Sequence, residues 1–191
     1  QMDANYSVSI SSSSPTVNLG SIDGFAGGAA STSATWTIIT DNPAGYKLSI
    51  NKDHLFNIDG GGTKKEFDDL VSNPSLAVPY YSWPAIVENT AKFGFSIETL
   101  GSGNTAYQRY LHSASSPYDC NSYGGSWTTL NCWDTIPSTT PVDILSRSSS
   151  TDQSGVLSVI KIKAEIGTPT AGSFMQTGQY QSGITATVTM L

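Results

Sequence analysis

Apolar and hydroxyl side chains alternate repeatedly along this 191-residue chain, and that period of two narrows its fold more than any other feature. In Asn5–Ser11, Tyr6, Val8 and Ile10 fall on one face and serines on the other. Ser11 to Ser14 and Pro15 break the pattern, and Thr16–Gly20 resumes it as a short strand. Ala34–Thr40 and Tyr46–Ile50 flank the turn residues Asp41–Gly45 and read as the clearest hairpin of the chain. Lys92–Leu100, Val156–Ile166 and Gly183–Met190 alternate in the same way. A helix needs a 3.6-residue period held over about ten residues. Only Glu66–Val71 reads as a single helical turn.

Many short strands with frequent turn signals predict an all-β fold: a single antiparallel β-sandwich of Ig-like or pilin-like kind. Residues 1–14 read as an N-terminal extension and 15–191 as the domain. Residues 101–155 are rich in turn formers, Tyr and Trp, and form an irregular insertion too long for a simple connection, so it should hold short strands of its own.

Charged residues are 13% of the chain, about half the usual ~25%. Four Trp and nine Tyr mark a chain that folds. The net charge is −6 and the nine basic residues are scattered, which argues against nucleic acid as a partner. No run approaches the ~18 apolar residues of a membrane span. The chain starts at Gln1 without a basic and apolar leader, as expected of a secreted protein whose signal peptide has been removed. Cys120 and Cys132 have neither the neighbouring histidines of a zinc site nor the spacing of a redox pair. A structural disulfide is the remaining reading, and it too places the protein outside a reducing cytosol.

Little in the chain points to catalysis. His54 and His112 belong to no hydrolytic motif, and serines are so frequent that a triad could be drawn by chance. The acidic residues Glu66, Asp68, Asp69, Asp119 and Asp134 read as solvated loop charges, and Asn57–Gly60 matches a calcium loop only in part. No catalytic residue, metal ligand or cofactor is expected, and a secreted hydrolase with paired carboxylates ranks last among the functions considered. The aromatics of the middle are candidates for core packing or, on an adhesin or carbohydrate-binding module, for glycan contact through Tyr81, Trp83, Tyr123, Trp127 and Trp133. Asn5-Tyr6-Ser7 is the only N-glycosylation sequon.

Three phrases carry a resemblance. Val17–Ile22 is an early strand running into a glycine; Trp36–Ile50 resembles the TN-x-x-GY hairpin of bacterial surface β-sandwiches; and Gly167-Thr168-Pro169 through Val188-Thr189 resembles their TPAG-x-Y…TVT ending. The chain thus resembles secreted bacterial or archaeal surface proteins of the fimbrial or pilin-like kind, over about a third of its length. The resemblance implies an extracellular, cell-surface filament subunit that polymerises with copies of itself. Each copy would donate its N-terminal strand to the next, with Tyr6, Val8 and Ile10 as anchors and Ser11 to Pro15 as the hinge. The alternative is a monomeric adhesin that keeps this strand at home.

Overall fold

The computed structural model describes residues 5–14, 16–58, 65–71, 79–112, 120, 130, 132–170 and 175–191. Among them the chain is all-β, with no α-helix and one 3-10 turn at Gln108–Tyr110. The strands are β1 (Val8–Ser12), β2 (Gly28–Thr40), β3 (Tyr46–Lys52), β4 (Phe56–Asn57), β5 (Glu66–Asp69) and β6 (Tyr80–Tyr81). They continue with β7 (Ala91–Leu100), β8 (Asn104–Ala106), β9 (Cys132–Asp134), β10 (Val142–Arg147), β11 (Val156–Ile166) and β12 (Ile184–Met190).

Two sheets form. The larger runs β1-β2-β11-β7-β5-β4, with β9 also on β7 and β6 on β9, and it curls into a half-barrel. The smaller runs β12-β3-β10-β8. Alternation decides which side chains meet between them. Trp36 and Ile38 of β2, Phe93, Phe95 and Ile97 of β7, and Ile160 and Ile162 of β11 point inward. They share one core with Tyr46, Leu48 and Ile50 of β3 and Leu145 of β10. Lys52 of β3 is wholly buried in the same interior. Its ammonium donates to the Asp69 carboxylate on β5 and to the Ile136 carbonyl, so a paired charge links the two sheets.

Several expectations are corrected. β2 and β3 do not pair with each other: they lie in different sheets, and Asp41–Gly45 is an arch that carries the chain across. Period-two alternation shows that each strand has a buried face, and both a hairpin and an arch satisfy that. The arch is held by Asn42, which is 4% exposed. Its side-chain amide donates to the carbonyls of Gly45 and Leu191 at 2.9 Å each, and its carbonyl oxygen accepts from Ala44 N–H at 3.1 Å.

Glu66–Asp69 is a strand parallel to β7, not a helical turn. So short a segment cannot repay helix nucleation, whereas the free edge of β7 offers it a ladder, extended by Leu70 N–H to the Phe93 carbonyl at 2.8 Å. Thr16–Gly20 forms no strand. Residues 101–155 hold short strands of their own, β8, β9 and β10, and β10 is an inner strand of the smaller sheet. Within residues 1–14, β1 pairs antiparallel with β2 of the same molecule.

Cys120 and Cys132 are joined, with Cα atoms 5.9 Å apart and both side chains buried. Cys132 lies in β9, so the bridge ties Cys120 to the larger sheet, worth about 3 kcal/mol in the chain-entropy model.

Gly45 tests the arch. Its φ is +84°, and an added Cβ would lie 1.9 Å from the Arg147 carbonyl oxygen. Gly20 has φ +90° with open space around it. Gly45→Ala should therefore destabilise by about 3 kcal/mol or more, and Gly20→Ala by only about 1–2 kcal/mol, the left-handed backbone cost alone. Urea denaturation checks this, and equal losses at both positions would remove the steric account of the arch.

Candidate functional site

The outer edge of β2 is built in two unlike halves. Over its C-terminal half, β1 pairs residue by residue from Val8 opposite Thr40 to Ser12 opposite Trp36. Ser7 fastens the start: its N–H reaches the Asp41 carboxylate at 2.6 Å, and its carbonyl accepts from the Thr40 hydroxyl at 2.7 Å. Ser13 N–H to the Thr35 carbonyl, at 3.2 Å, is the last backbone bond across this seam.

Beyond Thr35 the two segments part, although they belong to one connected excursion closed by a bridge between Asp23 and Gly27. Between those fixed points residues 14–22 face residues 28–34, nine against seven. Two surplus residues cannot stay in a regular ladder, and the described residues of the longer side, 14 and 16–22, take no strand conformation. Among the described residues, Gly28–Ala34 therefore has no strand partner on its outer side, while its inner side is fully paired with β11. Edges are commonly blunted by charge or proline. This one, Gly-Ala-Ala-Ser-Thr-Ser-Ala, has neither.

Beneath the bare edge lies an open cavity of about 1220 Å³. Thr32, Ala34 and Trp36 of β2, Ile162 and Ile166 of β11, and Phe93 of β7 form part of its lining. Phe56, Phe67 and Tyr180 contribute a ring cluster, with Phe56 stacked on Phe93 at 4.8 Å and Phe67 edge-on to Tyr180 at 5.2 Å. Val17, Leu19 and Ile22 close it from outside, each half-buried against the core.

A second, smaller cavity of about 570 Å³ is lined by Lys47, Arg109, Tyr110, Asp134 and Asp143 among others. Asp134 was expected to be a solvated loop charge. Instead β9 carries it into the interior at 2% exposure, where Arg109 grips it through Nη2 at 2.7 Å and Nε at 2.8 Å. Burial raises its carboxyl above the usual range, against the opposing pull of Arg109. Asp143 is held below that range, first by the Ser49 hydroxyl and then by Lys47. The Tyr110 hydroxyl is pushed upward by burial and by the Asp134 charge. Both carboxylates are thus committed to neighbours in the fold.

The other sequence candidates scatter. Val8 and Ile10 are half-buried on β1, and Tyr6, just ahead of it, is 45% exposed. Asn5 is exposed. Trp133 is buried at 8% exposure and packs edge-on against Trp83 at 5.0 Å, and Lys163 sits 4.7 Å over the Trp83 ring. Trp133 is thereby part of the interior and not of an open stacking surface. Tyr81 holds a backbone place opposite Cys132. Tyr123, Trp127 and Asp119 lie outside the described residues. His54 lies beside Asp53 at 3.3 Å, while His112 is buried and bridges to Cys120.

Sequence reasoning missed the bare half of β2. The clue was present in its run of small uncharged residues, but only pairing shows which edge of a strand is free. Compared with protein families, curated proteins and solved structures, the chain has no match.

The buried pair supplies a test with a worked sign. In the fold Asp134 holds its proton more tightly than in the unfolded chain, so its ionisation opposes folding as pH rises through the raised value. Arg109→Ala removes the compensating cation. The expected loss at pH 7 is about 2–3 kcal/mol, less than the ~3–5 of a wholly buried pair because Arg109 is partly exposed and screened. It should shrink as pH falls through the raised value, where Asp134 is protonated in the fold and carries no charge for Arg109 to compensate. A loss unchanged between pH 7 and pH 4 in urea titrations would contradict this.

Proposed function

We propose that this protein is the structural subunit of an extracellular filament, and that copies join by exchange of the N-terminal strand. In this reading the two sheets are an open β-sandwich, β1 is the strand that moves, and the edge of β2 in the next copy receives it. The observation that carries the reading is the divided edge of β2, filled over Trp36–Thr40 by a five-residue strand and, among the described residues, bare over Gly28–Ala34.

The physics favours exchange over simple edge contact. Among the described residues, β1 has backbone pairing on one side only, to β2. It ends at Ser12 and is followed by Ser13 and Ser14, both exposed. Its release leaves the pairing of β11 with β2 and with β7 untouched. Val8 and Ile10, each worth at most about 1.5–3 kcal/mol when fully buried, lose nothing by finding an equivalent place in a neighbour. Head-to-tail exchange of this sort does not close on itself, so it propagates as a fibre. The buried disulfide supports an oxidising, extracellular setting.

Negative-stain electron microscopy of the full chain, beside a variant lacking residues 1–14, tests this. Fibres are expected from the full chain. The truncated chain should give none while keeping the far-ultraviolet signature of its sheets, and adding a peptide of residues 1–14 to growing full-length fibres should cap them. Dispersed monomers from the full chain across a wide concentration range would refute the filament reading.

A further inference from the structure

The unfilled cavity and the displaced segment beside it have one explanation in the side chains of β2. Pairing alternates, and Ser13 bonds outward from Thr35, so the outward peptide groups along the bare half belong to Ser33, Ser31 and Ala29. The inward side chains are then Ala34, Thr32 and Ala30, all small, with Thr32 and Ala34 lining the cavity. A strand that fits here must bring bulky apolar groups at every second position and carry no charge. The chain that follows β1 has the wrong residues for it. Continued in the β1 register it would set Ser14, Thr16, Asn18 and Gly20 over this floor. It leaves the ladder instead and turns Val17, Leu19 and Ile22 over the opening.

We infer that residues 16–22 are a plug in the free subunit and become the linker between subunits in the polymer, and that the incoming N-terminal strand pairs with Gly28–Thr35, eight residues along β2 from where β1 sits in its own molecule. This rests on the strand-exchange reading above and adds to it the acceptor site and its register. The occupant is the N-terminal strand of a second copy. Its Tyr6, Val8 and Ile10 would stand opposite Ala34, Thr32 and Ala30, large over small at each step. In its own molecule Val8 faces Thr40 and Ile10 faces Ile38.

The move lengthens the ladder. In the free subunit five residues pair, Val8–Ser12 against Trp36–Thr40, with one further backbone bond at each end, through Ser7 and Ser13. The shifted register pairs eight, Asn5–Ser12 against Gly28–Thr35. Tyr6, 45% exposed in the free subunit, gains a covered place. Neither strand carries a charge or an internal proline to oppose the pairing. Residues 13–22, once off the opening, span up to about 33 Å when extended, enough to carry β1 to a neighbour.

Register-specific crosslinking separates this inference from the reading beneath it. Ser9→Cys chains would be mixed under assembly conditions with Ser31→Cys chains carrying a mass tag, and in parallel with tagged Ile39→Cys chains. Mild oxidation and a non-reducing gel then report the mixed disulfide. Ser9, Ser31 and Ile39 are all exposed, so the substitutions leave the core intact. The shifted register predicts a heterodimer with Ser31→Cys several-fold more abundant than that with Ile39→Cys. A dominant product with Ile39→Cys means that the strand swaps in its home register, which overturns the inference and leaves strand exchange standing. Equal yields also overturn it. No heterodimer in either mixture, with fibres absent, removes both this inference and the filament reading; with fibres present, it removes strand donation altogether.

Discussion

The structure hangs on the pairing of β11. Val156–Ile166 is bonded along its whole length to β2 on one side and, from Ser158 onward, to β7 on the other. Backbone groups buried between sheets must be paired, and here a single strand satisfies three strands' worth of them at once. Its inward residues Ile160, Ile162 and Ala164 form the floor onto which the smaller sheet closes. One register along this strand places Trp36, Phe95 and Ile97 in the same interior.

The consequences appear at the edges. On the β7 side the sheet finds several short partners: β5, β9 and, through β9, β6, locked by the disulfide at Cys132. On the β2 side, among the described residues, it has only β1, and only for part of the way. The larger sheet is thus well closed at one margin and half closed at the other. An uncharged margin, half without a strand partner among the described residues and set beside an open cavity of mixed polar and apolar lining, is a poor arrangement for a protein meant to stay alone in solution. It suits a subunit whose missing strand comes from another copy, as proposed here.

Legibility followed the physical range of each signal. The alternation of Val156–Ile166 and of Ile184–Met190 depends only on nearest neighbours, and both strands lie where their sequence places them. Asp41–Gly45 shows the opposite case. Its turn chemistry is local, but its destination in the other sheet depends on Asn42 meeting Leu191, 149 residues away. Glu66–Asp69 took strand form because β7 lay beside it, and no window of six residues contains that fact. Asp134 looked like a loop charge because its partner Arg109 is 25 residues off. As for the candidate site, Tyr6, Val8 and Ile10 could be named from their spacing, whereas the vacancy on β2 could not.

By itself, the sequence determined an all-β chain, the inward face of each long strand and a cysteine pair suited to bridging. Each of these follows from residue chemistry and a period of two. Tertiary structure alone decided which strands share a sheet, that the apparent hairpin is an arch, and that nine residues must span the distance covered by seven. Those outcomes come from long-range hydrogen-bond pairing and chain counting between distant fixed points, and no local pattern encodes them.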